Sequence, residues 1–368
     1  MPVIRASTSW RVPLTCEPGE GDRGVQINAS DRIFSGRAVS RGTGLALHRV
    51  ALVALLAAAS VGAASPVDAR APRIHSIHGA NYHPPYADIV IDDNSGQVLH
   101  DVNADEPRHP ASLTKIMTLY LLFEQLDAGA LKLDTPLPIS AKAALAPPTK
   151  LGLKADQTIT VEDAIGGIVT RSANDAAVVV SEAVGGSEDG FATLMTRKAR
   201  ALGMASTTYV NASGLPDDAQ ITTVRDQAIL GRAIHDRFPS YYSYFSMVYF
   251  HYHGKDIHNH NSLLGSVEGV DGIKTGYTEA SGYNLALSVR RSKKCVVAVV
   301  LGGTSNAERD TRMRQLIEDY IPQASTQRTA PLIVESTGVD MDLAVPTKIK
   351  SAPRAAPGAS GIDTNYEE

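Results

Sequence analysis

Apolar and polar positions change period several times along the chain, and each change predicts a different element. Residues 87–103, "ADIVIDDNSGQVLHDVN", form two β-type runs about the turn signal "DNSG" and predict a hairpin. After Pro110, "SLTKIMTLYLLFEQLDAG" is apolar nearly all round, the pattern of a helix buried on every side, and Asp127 and Gly129 end it. Residues 131–160 carry Pro136, Pro138, Pro147 and Pro148 and predict an irregular connection. "TVEDAIGGIVTRSANDAAVVVSEAVGG" predicts helix, break, helix, with Thr160 and Asp163 as a cap. "SEDGFATLMTRKARALGM" and "TTVRDQAILGRAIHDRF" have helical spacing, and "VDGIKTGYT", "GYNLALSVRR" and "KKCVVAVVLGG" are β-rich. "SNAERDTRMRQLIEDYI" opens with a capping box, Ser305 to Glu308. It sets Met313, Leu316, Ile317 and Tyr320 on one face, to lie against a sheet. Strands at both ends with helices grouped between them predict an α+β fold, an antiparallel sheet packed against a helical region. The short turns after Thr278 and Arg291 exclude parallel neighbours.

The flanks change the picture of the chain's destination. "VALVALLAAASVGAA", residues 50–64, is too short to span a bilayer. Arg37, Arg41 and Arg49 precede it, and "SPVDAR" follows with Val67 and Ala69 at the −3 and −1 positions of a cut, which predicts a secretory signal peptide. Residues 1–69 are thus read as N-terminal extension and signal peptide, 72–325 as the catalytic domain, and 326–368 as a flexible tail rich in Ala, Pro, Ser and Thr. Residues 1–39 exceed a usual basic leader, so a translation start further downstream is expected. Export predicts a periplasmic or cell-envelope location with no clear membrane anchor. Cys16 precedes the cut, and Cys295 in "KKCVVAVVLGG" reads as a small buried apolar residue, neither bridge nor nucleophile. A net charge of −4 and 5% aromatic residues exclude nucleic acid as an evident partner.

Three short elements carry candidate chemistry. "ASLTKIMT" places Ser112 and Lys115 one helical turn apart, so the amine can reach the hydroxyl. A serine hydroxyl needs a proton acceptor, and a lysine serves only when desolvation or a neighbouring cation lowers its pKa. "RSANDAA" supplies Ser172 and Asn174 at a helix–helix break, where side chains can project into a cleft. "GIKTGYT" supplies Lys274 as a second cation, the Thr275 hydroxyl for an anion, and Gly276, beside which substrate can lie along the strand. S-x-x-K alone is common by chance. The ordered trio S-x-x-K, S-D-N and K-T-G is the joint signature of class A β-lactamases and penicillin-binding proteins, and here only Ala173 departs from it.

Residues 80–321 resemble the low-molecular-weight penicillin-binding proteins, the serine-type D-alanyl-D-alanine carboxypeptidases. The likeness extends to "GFATLMTRKARALGMASTTYVNASGL", "TTVRDQAIL" and "GVDGIKTGYTEASGYNLALS". It implies a β-lactamase-like fold with Ser112 as acyl-ester nucleophile, Lys115 as proton acceptor and Ser172 as relay to the leaving amine. Asn174 would hold the substrate peptide, Lys274 would complete the polar network, and the backbone N–H groups of Ser112 and Tyr277 would form the oxyanion hole. The resemblance also places Arg225 at the substrate's terminal carboxylate beside Thr275, where a guanidinium fork suits the anion. The implied partners are peptidoglycan stem peptides, with β-lactams as covalent inhibitors, and neither metal nor other cofactor is expected. "HYHGKDIHNH" could set His251, His253, His258 and His260 in alternating pairs, but this chemistry uses no metal. No E-x-x-L-N lies between Asn174 and Lys274, so rapid penicillin hydrolysis is not expected. Release of D-Ala from stem pentapeptide is the preferred activity. A D,D-endopeptidase acting on cross-links and a β-lactam sensor are the alternatives.

Overall fold

The computed structural model describes residues 82–335. In chain order the elements begin with the hairpin β1 (Ala87–Asp92) and β2 (Val98–Val102), followed by helix α1 (Thr114–Asp127). Next come β3 (Pro136–Pro138), α2 (Ala141–Ala144), β4 (Thr158–Thr160), α3 (Val161–Gly166), α4 (Asn174–Gly185) and α5 (Glu188–Ala201). They continue through α6 (Val224–Arg237), α7 (Pro239–Tyr242), β5 (Tyr249–Tyr252), β6 (Lys255–His258), β7 (Val270–Thr278), β8 (Gly282–Arg291), β9 (Lys294–Gly303) and α8 (Asn306–Tyr320). Five strands form one sheet in the order β2-β1-β9-β8-β7, every pair antiparallel.

The central strand explains the apolar run in "KKCVVAVVLGG". Val296, Ala298 and Val300 of β9 face α8, packing with Met313, Leu316 and Ile317. Val297, Val299 and Leu301 face the helical region and join the core around α1 and α6. Both faces are covered, so the strand is continuously apolar rather than alternating. Helix α1 runs through the middle of the helical region with eleven of its fourteen residues buried, among them Leu119, Tyr120, Leu122 and Phe123. Each such side chain contributes about 1.5–3 kcal/mol through burial. Lys115 sits in the same helix with no exposed surface.

Three expectations need correction. Residues 131–160 are not wholly irregular: β3 pairs with β4, and α2 lies between them, capped by Ser140, whose Oγ accepts the N–H of Ala143. Pro136 and Pro138 stand at the ends of β3, on a two-stranded edge where no ladder donor is demanded of them. Residues 326–335, expected to begin the flexible tail, are held along the body. Thr329 and Ala330 donate to the carbonyl of Asn94, Ile333 donates to Asp236, and the buried Arg328 pairs with Asp236 at 2.7 Å. Cys295 is buried in β9 as expected, but it is disulfide-bonded, its partner lying outside the described residues. The expected signal peptide and the tail beyond residue 335 also lie outside them. Among the described residues no helix is long and apolar enough to cross a membrane.

Candidate active site

A cleft of about 470 Å³ opens between β7, the start of α1 and the turn before α4. Ser112 occupies a single 3-10 turn (Ala111–Leu113) that feeds α1. Two glycines allow other backbone to close around this turn. A Cβ on Gly214, itself at φ +84°, would fall 1.8 Å from the carbonyl oxygen of Ala111. One on Gly276 would fall 2.9 Å from the amide nitrogen of Ser112. Strand β7 is the sheet edge, paired only with β8, so its free side faces the cleft.

Lys115 organises the polar groups. Its Nζ lies 3.1 Å from Ser112 Oγ, 2.7 Å from Asn174 Oδ1, and within hydrogen-bond reach of the Ser213 carbonyl. Burial first, then the Lys274 cation, hold this amine well below its ordinary range, and the Asp175 carboxylate pulls the other way. All three oxygens can accept from Nζ. A neutral amine can keep two N–H groups on the Asn174 and Ser213 oxygens and turn its lone pair to the serine hydroxyl. Lys274 is also buried; its Nζ donates to the carbonyl of Thr275 at 2.9 Å. Burial and the nearby Arg309 guanidinium bring its pKa down to about 7.

The break between helices is a π-turn (Gly167–Arg171) that ends at Ser172 with φ +57°. A left-handed non-glycine residue costs roughly 1–2 kcal/mol and aims the side chain away from the helical path. Ser172 Oγ is buried in the cleft and has no hydrogen-bond partner among the described residues. Asn174 starts α4, donating its amide Nδ2 to the Pro147 carbonyl at 2.9 Å.

The structure thus brings Ser112, Lys115, Ser172, Asn174, Lys274, Thr275, Gly276 and Tyr277 to one cleft and its immediate wall. It does not bring Arg225 there. That side chain pairs with Asp105 at 2.6 Å and Asp101 at 3.7 Å, beside β2, at the opposite sheet edge from β7. Two local carboxylates satisfy its guanidinium, which explains the displacement. The cleft's arginine is Arg309 in the first turns of α8, only 3% exposed, with Nε and Nη2 on Asp310 Oδ1 and Nη1 on the Asn284 carbonyl. It had a legible signal. Arg309 stands four and seven residues before Met313 and Leu316, on the face that packs the sheet, where a cation is out of place.

Other residues of the site and its support were also missed. Asn211 Oδ1 accepts the N–H groups of Ser213 and Gly214 and shapes the loop beneath Lys115. His260, considered above only as a metal ligand, lines the cleft rim. Desolvation and the surrounding positive groups, Lys274, Arg171 and Arg309 foremost, lower its pKa to about 4, so it is neutral at physiological pH. His251 instead meets Asp256 across the β5–β6 hairpin at 2.8 Å.

The chain is similar to known proteins in sequence and in fold. A family profile described as D-alanyl-D-alanine carboxypeptidase, peptidase S11, matches residues 79–305. The chain is 34% identical over 282 residues to D-alanyl-D-alanine carboxypeptidase DacA of Escherichia coli K12, covering 74% of this chain and 68% of the relative. It is 31% identical over 250 residues to DacF of Bacillus subtilis, covering 66% and 64%. The crystal structure of DacD from Francisella tularensis superimposes with a TM-score of 0.61 at 30% identity, covering 67% of this chain and 73% of that one. Cefotaxime-bound penicillin-binding protein D2 from Listeria monocytogenes gives a TM-score of 0.57 at 32% identity, covering 63% and 95%.

Proposed function

The chain belongs to the D-alanyl-D-alanine carboxypeptidase family of serine peptidases, and from that premise we propose how its own residues remove the terminal D-Ala from peptidoglycan stem pentapeptides. The substrate lies along the free edge of β7 as an added strand. Its terminal carboxylate meets the Thr275 hydroxyl and the Arg309 guanidinium, a charge-assisted pair inside a cleft whose walls carry no carboxylate among the lining residues. Arg309 takes the part first given to Arg225.

Neutral Lys115 accepts the Ser112 proton as Oγ attacks the carbonyl of the penultimate residue. Negative charge develops on that carbonyl oxygen, toward the N–H groups of Ser112 and Tyr277; the close approach of Gly276 to the Ser112 amide supports this assignment. The proton passes through Ser172 Oγ to the leaving amine, and D-Ala departs. Water then attacks the acyl ester, giving its proton to Lys115, and as the tetrahedral intermediate collapses Lys115 returns that proton to the departing Ser112 Oγ. A β-lactam acylates the same oxygen, but its leaving nitrogen stays tethered. A cell-envelope location fits this substrate.

The 3.1 Å contact of the buried Lys115 amine with Ser112 Oγ, where burial and Lys274 lower the amine's pKa, carries this reading. Fluorescent penicillin labelling and D-Ala release from a pentapeptide test it. Ser112→Ala should abolish both, and Lys115→Ala should slow both by at least about 100-fold. Labelling of Lys115→Ala at the parental rate would end the assignment. A cross-linked dimer in the same assay separates the activities: release of D-Ala from pentapeptide marks a carboxypeptidase, and splitting of the dimer alone marks an endopeptidase.

A further inference from the structure

The residue after Asn174 takes no part in the chemistry above, yet it is fully buried in the first turn of α4. Asp175 spends its carboxylate on backbone. Oδ1 accepts the N–H of Leu151 at 3.0 Å and of Ala176 at 2.9 Å; Oδ2 accepts Gly152 at 2.8 Å and Leu153 at 3.0 Å. A carboxylate that only capped its own helix would bond to that helix's first turn. Here three of four donors come from the loop 147–153, and bonds to an ionised acceptor are the stronger kind.

Upstream of those anchors the same loop touches the serine–asparagine motif three times. The Pro147 carbonyl accepts Asn174 Nδ2 at 2.9 Å, the Thr149 carbonyl accepts the Asn174 N–H at 2.7 Å, and Thr149 Oγ1 donates to the Ser172 carbonyl at 3.0 Å. An amide has a donor end and an acceptor end. With Pro147 on the donor end, Asn174 Oδ1 is left facing Lys115 Nζ. The third contact falls on the residue whose backbone is held at φ +57°.

We propose that Asp175 is a positioning residue for acylation: by clamping the loop 147–153 it fixes the amide of Asn174 and the backbone of Ser172. The inference rests on the function proposed above. Charge gives it a second, separable effect. Lys115 faces Lys274 across the cleft and Asp175 behind it, His260 faces both lysines, and Tyr252 of β5 faces Asp175. The carboxylate favours the charged form of Lys115, so its removal moves the acid limb of acylation to lower pH even as the plateau falls.

Acylation by fluorescent penicillin across pH 5–9 tests this in the full chain. Asp175→Asn should lower the plateau by up to about 100-fold and shift the acid limb downward, while the fraction labelled at saturation stays parental. In an Asn174→Ala background the same substitution should add less than about threefold, because most of its effect passes through the Asn174 amide. Thr149→Val, which keeps the charge, should lower the plateau without moving the limb. A parental plateau for Asp175→Asn, an unmoved limb, independent losses in the double variant, or a loss confined to the labelled fraction each overturns the proposal. Should Asp175→Asn fail to fold, a parental plateau for Thr149→Val overturns it alone. Labelling that survives Ser112→Ala defeats the underlying reading instead.

Discussion

Lys274→Met should make the protein more stable and less active. The lysine has almost no exposed surface and one hydrogen bond, to the carbonyl of Thr275. Its pKa falls from 10.5 to about 7 on folding, through burial and the Arg309 charge. The unfolded chain therefore keeps a proton that the folded chain has released, and stability rises with pH between those two values. Below about pH 7 the amine is charged in both states, and the full cost of burying that charge is present. The shift corresponds to roughly 5 kcal/mol. Methionine loses the amine's hydrogen bond and leaves a carbonyl unpaired, about 1–3 kcal/mol. A net gain of roughly 2–4 kcal/mol remains at pH 6, several degrees in Tm at about 2–4 °C per kcal/mol. The gain should fade toward pH 10. Urea unfolding of both proteins at pH 6, 8 and 10 measures it, and penicillin labelling follows the lost activity. Parallel stability curves, with no advantage for the variant at pH 6, would show that Lys274 folds without an electrostatic cost.

Arg309→Ala should slow turnover of peptides ending in a free carboxylate by about 10- to 100-fold relative to amidated ones, the worth of a charged hydrogen bond; Arg225→Ala should leave that ratio unchanged. Steady-state kinetics on the peptide pair decides between the two arginines. Gly276→Ala places a Cβ 2.9 Å from the Ser112 amide nitrogen, so acylation should fall at least about tenfold and Tm should drop as the backbone around Ser112 gives way. Arg328→Ala strips the buried Asp236 of its 2.7 Å partner and should cost about 3–5 kcal/mol in urea unfolding while leaving the labelling rate parental, since neither residue lines the cleft.

What could be read from the sequence depended on whether a signal was local. The α1 helix, the capped α8 and the β7–β8–β9 meander each carry their periodicity and turn chemistry within some twenty residues. The helix break at Ser172 was also visible, because Gly166 and Gly167 interrupt the pattern. The prolines at 136 and 138 misled, since a three-residue pairing such as β3–β4 leaves almost no periodicity to detect. The strap at 326–335 misled for another reason. Its contacts, to Asn94 and Asp236, are with partners far away in sequence, so its Ala, Pro and Thr content says nothing of where it docks. Arg225 and Arg309 make the same point within the site. Resemblance favoured the first, but Asp101 and Asp105, more than a hundred residues upstream, capture it. The second lay on an apolar face where its charge should have drawn notice.

The electrostatics of the site gain their meaning from what the cleft lacks. Lys115, Lys274 and Arg309 converge with Asp175 as the carboxylate acting on Lys115, and that one sits behind the wall. At neutral pH, with a pKa of about 7, Lys274 is charged in only part of the molecules. A substrate carboxylate held by Thr275 and Arg309 lies close enough to favour the Lys274 ammonium, and so raises the charged fraction. That cation adds to burial in depressing Lys115, so a correctly terminated peptide strengthens the condition under which its attacker's proton can be taken. Binding should therefore take up a fraction of a proton near pH 7, and almost none near pH 5, where Lys274 is already charged. Titration calorimetry of Ser112→Ala with a pentapeptide, in buffers of different ionisation enthalpy, measures that uptake. Release of protons, or an uptake unchanged by amidating the terminus, would mean that the carboxylate does not act on Lys274.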